Sequence, residues 1–225
     1  MRHELTVDGL VVTSDNSAGI GEKEWDTVKA PDIVTAKFAA RVALLEQWAA
    51  GSEPQAMLLH NFSGAVQWDR YMAGIAELFA EAEMEMPPVS GSSETNMETL
   101  QSGLAVTMLG KQIRSSATAE SLSWFVYGVP LVGEAVLVHQ DQAADLKLIK
   151  LGLESGIIDR VWPVGSKGIE REFELLMGRH VEVSAAVNIH SSGGPGTCVL
   201  LGIQPENIEQ LQKYFGKILF SLAFK

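Results

Sequence analysis

Three acidic residues on separate segments, together with a lysine that follows a glycine turn, are the residues that could do chemistry. Asp15 and Lys23 flank the turn in "DNSAGIGEK". Glu46 lies in an otherwise largely apolar segment, and Glu94 lies in the loop "GSSETNMET". Mg2+ prefers carboxylate and phosphate oxygens as ligands, and phosphoryl transfer needs positioning and a cation on the phosphates more than covalent chemistry. These residue types therefore favour an enzyme that transfers phosphoryl groups, provided that the fold brings them together.

Each of these residues also has a purely structural interpretation, which the sequence leaves open. Asp15 is typical of a turn because its side chain bonds to nearby backbone groups. Lys23 and Glu94 are compatible with ordinary surface positions, and Arg41 and Glu46 with a structural ion pair. The turn itself does not match the phosphate-binding pattern G-x-x-x-x-G-K-[ST].

The composition excludes several classes of function. The chain has 225 residues, 46% of them hydrophobic, and a formal net charge of -11. That charge disfavours nucleic acids and anionic membranes, which bind clustered Lys and Arg, and leaves small molecules, metal ions and proteins as partners. The sequence has no apolar run of transmembrane length, and its N-terminus lacks the pattern of a signal peptide, so we expect a cytoplasmic protein.

Cysteine and motif spacing narrow the chemistry further. Cys198 is the single cysteine and lies in the apolar run "TCVLLGI", so we expect it to be buried and to form no internal disulfide. The sequence has no H-x-H or C-x-x-C spacing for zinc. It also has no G-x-S-x-G pattern for a nucleophilic serine.

The first half of the chain alternates between strand-like and helical patterns. Apolar residues recur at helical spacing over 32–50 and 67–85, which predicts two amphipathic helices. Strands are predicted over 9–14, 56–62 and 102–110. The segment 86–99 is predicted to be a loop because it is rich in turn residues.

A polar stretch near residue 116 is the predicted boundary between two domains, 1–115 and 116–225. Strands are predicted in the second half over 122–128, 134–139, 180–189, 196–203 and 217–224. Helices are predicted over 141–155, between Ser166 as N-cap and Gly178, and over 205–216. The order β-α-β-β-α-β is that of the split ferredoxin-like unit, so the predicted fold class is α+β, with two layered halves.

Three motifs in the first half resemble the aminoimidazole ribonucleotide synthetase, or PurM-like, superfamily. "DNSAGIGEK" is similar to its D-G-V-G-T-K segment, "ARVALLEQWAAGSEP" to its helix ending N-D-x-x-x-x-G-A-x-P, and "GSSETNM" to its G-G-E-T-A-E-M loop. The resemblance spans roughly residues 8–110, and the second half is similar only in layout. It implies the superfamily's two-domain fold, the use of ATP with Mg2+, and a homodimer formed through the N-terminal sheets.

The resemblance also implies roles for the matching residues. Asp15, Glu46 and Glu94 would ligate metal, with Glu46 standing where the superfamily has an aspartate. Lys23 would bind the ATP phosphates. The other nucleotide-binding residues that the motifs imply are Gly19, Gly21, Thr95 and Asn96. The serine pair in "GSSET" replaces paired glycines, which changes how the backbone approaches phosphate.

Within the superfamily, the segments "GVPLVGEAVL" and "PVGSKGI" are most similar to the alpha-ribazole kinases of cobalamin salvage. This resemblance implies ATP-dependent phosphorylation of the ribose hydroxyl of alpha-ribazole. The candidate substrate-binding residues are Ser166, Lys167, Asn188 and His190. A helix N-terminus favours anions, although a simple helix cap with a surface lysine accounts for the same pattern.

Two other functions and the identity of the base stay open at the level of sequence. One alternative is a ligase or synthetase that activates an acyl or amide oxygen as a phosphate. The other is a nucleotide-binding regulator without catalysis. No residue is an obvious general base, and Asp26 and Asp32 are the candidates.

Overall fold

The computed structural model describes residues 4–225, which form two compact units divided between Ile113 and Arg114. Each unit is a sheet with helices packed against it, so the predicted α+β fold class is confirmed. The assignment of ATP binding to the first domain and of substrate binding to the second stays a prediction. None of the described helices is both long enough and apolar enough to cross a membrane.

The first unit, residues 4–113, contains one large sheet, one short strand pair and two helices. Its strands are β1 (Leu5–Val7), β2 (Leu10–Ala18), β3 (Ile20–Gly21), β4 (Val28–Lys29), β5 (Ser52–Asn61), β6 (Val89–Ser93) and β7 (Gly103–Gln112), and its helices are α1 (Asp32–Ala49) and α2 (Gln67–Glu81). The large sheet has the order β1-β2-β7-β5-β6, and only β5 and β6 are parallel within it.

Helix α1 is buried along most of its length because it packs against both the sheet and α2. Thr13 Oγ1 donates to the Ala43 carbonyl at 2.8 Å. Gln47 Nε2 donates to the carbonyls of Val11 at 3.1 Å and Met108 at 3.0 Å. Buried polar groups need such partners, so these bonds fix the position of α1 along β2 and β7.

The sheet face opposite α1 carries exposed apolar side chains. Strand alternation and register place on this face the exposed residues Leu5, Val7, Leu10 and Leu58. A contiguous apolar surface of this kind is typical of an interaction face.

The second unit, residues 114–225, is a five-stranded antiparallel sheet with helices on both faces. Its strands are β8 (Ser123–Tyr127), β9 (Arg160–Pro163), β10 (Val183–Ser184), β11 (Val199–Ile203) and β12 (Leu219–Phe224), and its helices are α3 (Glu134–Val138), α4 (Leu146–Glu154), α5 (Gly168–Met177) and α6 (Ile208–Phe215). The strand order is β10-β12-β8-β11-β9.

Aromatic contacts show how the helices of the second unit cover its sheet. Trp124 on β8 meets Phe173 of α5 edge-to-face, with ring centroids 5.6 Å apart. Tyr127, three residues further along the strand, meets Phe215 of α6 with ring centroids 4.9 Å apart. Successive strand residues point to opposite faces, so α5 and α6 lie on opposite sides of β8. Cys198 is fully buried, as predicted.

Several predicted elements are wrong in detail. The segment 134–139 forms helix α3 rather than a strand, and only Val183–Ser184 of the segment 180–189 is strand. Strand β6 lies inside the predicted loop 86–99, and β9 was not predicted. The first unit therefore has the element order β1-β2-β3-β4-α1-β5-α2-β6-β7, which differs from the β-α-β-β-α-β order of the split ferredoxin-like unit.

The close contact between α1 and α2 at Gly74 gives a test of this packing. A Cβ at Gly74 would lie 2.0 Å from the carbonyl oxygen of Ile33. Helix propensity alone predicts that Gly74→Ala stabilises the chain by about 1 kcal/mol, whereas overpacking costs about 1–3 kcal/mol. We expect a net loss in the free energy of unfolding, measured by urea denaturation. Ala80→Ser, at an exposed position of α2, is the control, and a stabilised Gly74→Ala variant would contradict the packing.

Candidate functional site

The loop that carries Lys23 connects β2 to α1 and is closed by its own backbone bonds. The amides of Thr27 and Val28 both donate to the carbonyl of Gly19, at 2.7 and 3.1 Å. Ala30 N donates to the carbonyl of Gly21 at 3.2 Å. The loop is therefore an ordered element that holds Lys23 in place.

A buried carboxylate joins this loop to the beginning of β7. Asp26 Oδ2 accepts hydrogen bonds from Lys23 N at 2.9 Å and from Ser102 Oγ at 2.7 Å, and Asp26 Oδ1 accepts from Ser102 N at 2.7 Å. Gly21 makes room for this contact, because a Cβ there would lie 2.4 Å from Ser102 Oγ. These bonds assign Asp26 a structural role in positioning Lys23.

The ammonium group of Lys23 is bound to the segment that precedes β7. Lys23 Nζ donates to the carbonyl of Thr99 at 2.7 Å and to its hydroxyl at 2.6 Å. The Thr99 hydroxyl in turn donates to the carbonyl of Phe62 at 2.8 Å. A lysine has three N–H donors, so a further one can serve a ligand oxygen.

Glu94 begins the same segment. Its amide donates to the carbonyl of Asn61 at 2.7 Å, directly after β6. Its carboxylate Oε1 accepts from the amide of Asn96 at 2.6 Å, while the Thr95 and Asn96 side chains are exposed. The structure thus connects Lys23 to residues 94–99. This continuous segment begins with Glu94 and ends with Thr99, which binds the Lys23 ammonium.

Asp15 lies in a strand and not in the turn that the sequence suggested. Strand β2 continues to Ala18, and Asp15 pairs with Val106 of β7. Val106 is fully buried, which places Asp15 on the helix-covered face. The left-handed turn comes at Gly19, with φ of 69°, and Gly21 follows it.

The three predicted metal ligands do not form one cluster. Strands β7 and β5 lie between β2 and β6, so three strand spacings of ~4.8 Å, about 14 Å, separate the strand of Asp15 from the strand that ends just before Glu94. Glu46 is buried on α1 beside Gln47, whose contacts are with Val11 and Met108. Within residues 4–225, no group of three His, Cys, Asp or Glu side chains is arranged to hold a metal ion. The ligand role of these residues stays a prediction.

The candidate substrate residues of the second unit gather at the N-terminal end of α5. Gly168 packs against the backbone of His190, where a Cβ would lie 2.8 Å from the His190 carbonyl carbon. His190 Nδ1 lies 3.3 Å from a carboxylate oxygen of Glu170, and His190 N donates to Asn188 Oδ1 at 3.0 Å. Ser166 and Lys167, like Asn188 and His190, are exposed.

Ser166 does not cap α5. The N-cap position is occupied by Lys167, and no side chain accepts a hydrogen bond there. The Gly168 amide instead donates to the carbonyl of Gly165 at 3.3 Å, and Glu170 N donates to that of Ile189 at 3.2 Å. Neighbouring backbone therefore satisfies the helix start, and Gly178 ends the helix in the left-handed conformation, as predicted.

Sequence reasoning missed a buried polar cluster beneath the Lys23 loop. Ser63 Oγ is hydrogen-bonded to Tyr71 Oη at 2.6 Å and accepts from Gly103 N at 2.8 Å. Burial raises the pKa of Tyr71 to about 12, so its phenol is neutral near pH 7. Only the polarity of Ser63 and Ser102 beside strand ends signals this cluster in the sequence.

A second missed contact ties the loop to both helices. Arg70 of α2 lies 2.6 Å from Glu22 Oε2 and 3.1 Å from Asp32 Oδ2. The amides of Glu22 and Asp32 each donate to the other's carboxylate, at 3.4 and 3.2 Å. Burial raises the pKa of Asp32, Arg70 opposes that shift, and the nearby Glu22 carboxylate adds to it.

The raised pKa of Asp32 predicts how its contribution to stability depends on pH. The folded chain holds the Asp32 proton more tightly than the unfolded chain, in which the pKa of Asp32 is 3.8. The stability from protonation is fully present below that value and is lost as the pH rises through the folded-state pKa. We expect the free energy of unfolding of the wild type, relative to Asp32→Asn, to fall between about pH 4 and pH 7.

Chemical denaturation of both variants across this pH range measures the difference. Groups that do not interact with Asp32 contribute equally to both variants, so the difference reports Asp32 together with its neighbour Glu22. A wild type that gains stability over Asp32→Asn as the pH rises would contradict the raised pKa.

No protein-family model matches this sequence, and no curated protein matches it. Solved structures do match it. Thiamine monophosphate kinase from Aquifex aeolicus superposes with a TM-score of 0.62 at 14% identity, covering 98% of this chain and 86% of that one. HypE, a hydrogenase maturation protein, in complex with ATP superposes with a TM-score of 0.66 at 12% identity, covering 98% of this chain and 78% of that one. T. maritima PurL complexed with AMPPCP superposes with a TM-score of 0.62 at 11% identity, covering 99% of this chain and 42% of that one.

Identities of this size establish the fold alone. The match extends through both units, including the second, where the sequence was similar only in layout. The predicted resemblance is thus confirmed at the level of fold. This chain has the PurM-like fold that thiamine monophosphate kinase, HypE and PurL share.

Proposed function

We propose that this chain is an ATP- and Mg2+-dependent phosphotransferase that phosphorylates a small-molecule hydroxyl. The observation that carries the proposal is the contact of the Lys23 ammonium with Thr99, on the segment that begins with Glu94. A fixed cation bound to a segment that also carries a carboxylate suits a nucleoside triphosphate site. The fold adds support, because its neighbours include a kinase whose structure was solved with AMPPCP and TMP.

Lys23 is the residue assigned to the phosphates. Its backbone is fixed by Asp26 and its ammonium by Thr99, so the charge is positioned before the nucleotide binds. Preorganised charge of this kind stabilises a transition state without a cost of reorganisation. Gly19 and Gly21 shape the turn that precedes Lys23. Thr95 and Asn96, on the segment 94–99, are assigned as further nucleotide-binding residues.

The carboxylates fit Mg2+ in the manner usual for nucleotide enzymes. Mg2+ is commonly held by one or two carboxylates together with substrate phosphates, and not by an all-protein cage. Asp15 lies on β2 and Glu94 directly after β6, so each is assigned to its own side of the phosphate chain. Mg2+ bound there would neutralise charge that develops on the transferred group. Glu46 is the weaker assignment because it is buried on α1.

In the proposed reaction, the acceptor hydroxyl oxygen forms a bond to the terminal phosphorus of ATP. The bond from that phosphorus to the bridging oxygen of ADP breaks in line with the attack. Asp26 and Asp32 are not assigned as the base, because Asp26 is bound to Ser102 and Lys23, and Asp32 to Arg70. The hydroxyl proton passes to solvent or to the transferred phosphate.

The proposed acceptor is alpha-ribazole, in cobalamin salvage. This assignment rests on the segments "GVPLVGEAVL" and "PVGSKGI". Acceptor contacts in the second unit are assigned to Ser166, Lys167, Asn188 and His190, which are exposed together at the start of α5. Lys167 and the helix start favour an anionic group.

A homodimer is part of the proposal. The exposed apolar side chains Leu5, Val7, Leu10 and Leu58 share the sheet face opposite α1. Two copies of such a face can pack as a sandwich and bury these side chains.

A second candidate function, a ligase that forms an acyl- or imidate-phosphate, is favoured by the match to PurL. A nucleotide-binding regulator is the third.

Mass spectrometry of the products tests the proposed reaction. The dimeric or monomeric protein as purified is incubated with alpha-ribazole, ATP and Mg2+. We expect a product heavier than alpha-ribazole by one phosphoryl group, together with ADP. ATP turnover that requires a carboxylate or amide acceptor would favour the ligase, and Mg2+-dependent ATP binding without turnover would favour the regulator.

Paired variants of one loop separate catalysis from folding in this assay. Glu94→Gln keeps the oxygen that accepts from Asn96 but removes the charge, so we expect kcat to fall by about 100-fold. The free energy of unfolding should change by less than about 0.5 kcal/mol, as for surface positions. Glu98→Gln, an exposed acid on the same segment, is the matched control. Equal kcat in the two variants contradicts the role of Glu94.

A further inference from the structure

Exposed apolar side chains lie on the chain segments that hydrogen bonds link to Lys23 and Thr99. Trp25 is 63% exposed and Leu100 72% exposed, and Phe62 and Met97 are also largely exposed. We call these four residues the apolar rim. Large apolar side chains that remain exposed on neighbouring segments commonly mark a binding site; none of the four has a role assigned above, and only Met97 belongs to a sequence motif.

Hydrogen bonds hold the segments of the apolar rim together around the Lys23 ammonium. Gln101 Nε2 donates to the carbonyl of Trp25 at 2.7 Å. The Thr99 hydroxyl, which accepts from Lys23, donates to the carbonyl of Phe62 at 2.8 Å. Met97 and Leu100 flank Thr99 in the chain. The rim therefore belongs to the same ordered network as the cation.

This arrangement combines an aromatic surface with one positioned positive charge. Trp25 follows Lys23 by two residues, so a ligand that reaches both carries a negative group close to a flat apolar one. Stacking on Trp or Phe suits every nucleobase because each has a π-face. In a chain with a formal charge of -11, an anionic ligand needs such a local cation.

We propose that the apolar rim binds the base of a nucleoside triphosphate whose phosphates contact Lys23, with Trp25 as the principal stacking residue. The proposal rests on the proposed function, since it places the base of the nucleotide that the phosphotransferase uses. It assigns base recognition mainly to Trp25, which lies outside the three motifs. Stacking without base-edge contacts accommodates ATP and GTP alike.

Comparison of ATP with inorganic tripolyphosphate tests the apolar rim, because tripolyphosphate has the charge without the base. Both dissociation constants are measured by calorimetry in Mg2+ for the wild type and for Trp25→Ala. We expect Trp25→Ala to raise the dissociation constant of ATP by about tenfold, as for the loss of one stacked base. The dissociation constant of tripolyphosphate should rise by less than about twofold. ATP should also quench the fluorescence of Trp25, the most exposed tryptophan among the described residues.

Two variants control for the loss of an aromatic residue. Trp25→Phe keeps a stacking ring and should bind ATP within about threefold of the wild type. Tyr214→Ala removes an exposed aromatic side chain of the second unit and should leave both affinities unchanged. Trp25 is largely exposed, so these changes should leave the fold intact.

Each other outcome overturns the apolar rim in a distinguishable way. Equal weakening of ATP and tripolyphosphate means that Trp25 acts through the position of Lys23 and not through the base. Unchanged ATP affinity in Trp25→Ala means that the rim serves another ligand, such as a protein, while the proposed phosphotransferase stands. Failure of the wild type to bind either compound overturns the rim and the proposed function together.

Discussion

The hydrogen bonds of the Asp26 carboxylate are the constraint on which the candidate site depends. This buried group joins the amide of Lys23 to the amide and hydroxyl of Ser102, and thereby links the loop after β2 to the start of β7. A carboxylate that accepts three hydrogen bonds is compensated for its burial. Together with the bond from the Asp26 amide to the Lys23 carbonyl at 3.1 Å, these bonds fix the Lys23 backbone beside the start of β7.

The strand order of the first sheet determines which residues can act together. Strands β2 and β6 are separated by β7 and β5, which keeps Asp15 and Glu94 on different sides of the sheet end. The Lys23 side chain connects the loop after β2 to Thr99, on the segment that precedes β7. The arrangement suits an extended ligand such as a triphosphate, contacted along its length, better than a compact ion.

Local pattern predicted the long helices and the central strands, because α2 buries an apolar stripe at helical spacing and α1 is buried over most of its length. It misassigned 134–139, where two valines and a leucine at alternating and adjacent positions favour a strand locally but form the short helix α3. It also missed β6, since a run of Ser and Gly has low strand propensity and pairs only through β5. The fold class was predictable, while these elements depend on tertiary pairing.

The site was predictable only where a motif carried it. Lys23, Glu94 and the glycine turn follow from three spaced motifs, and the structure joins Lys23 to the segment of Glu94. The role of Asp26 was not predictable, because its partner Ser102 is 76 residues away in the chain. The same holds for the contact of Arg70 with Asp32, which depends on how α2 packs beside the start of α1.

The central claim is that the ammonium of Lys23 binds the phosphates of ATP. Calorimetric titration of ATP in Mg2+ into Lys23→Met tests it most directly, with Lys111→Met, an exposed lysine at the other end of β7, as control. The account predicts that Lys23→Met weakens ATP binding by at least about tenfold while Lys111→Met binds as the wild type does. Equal affinities in the two variants would contradict the account.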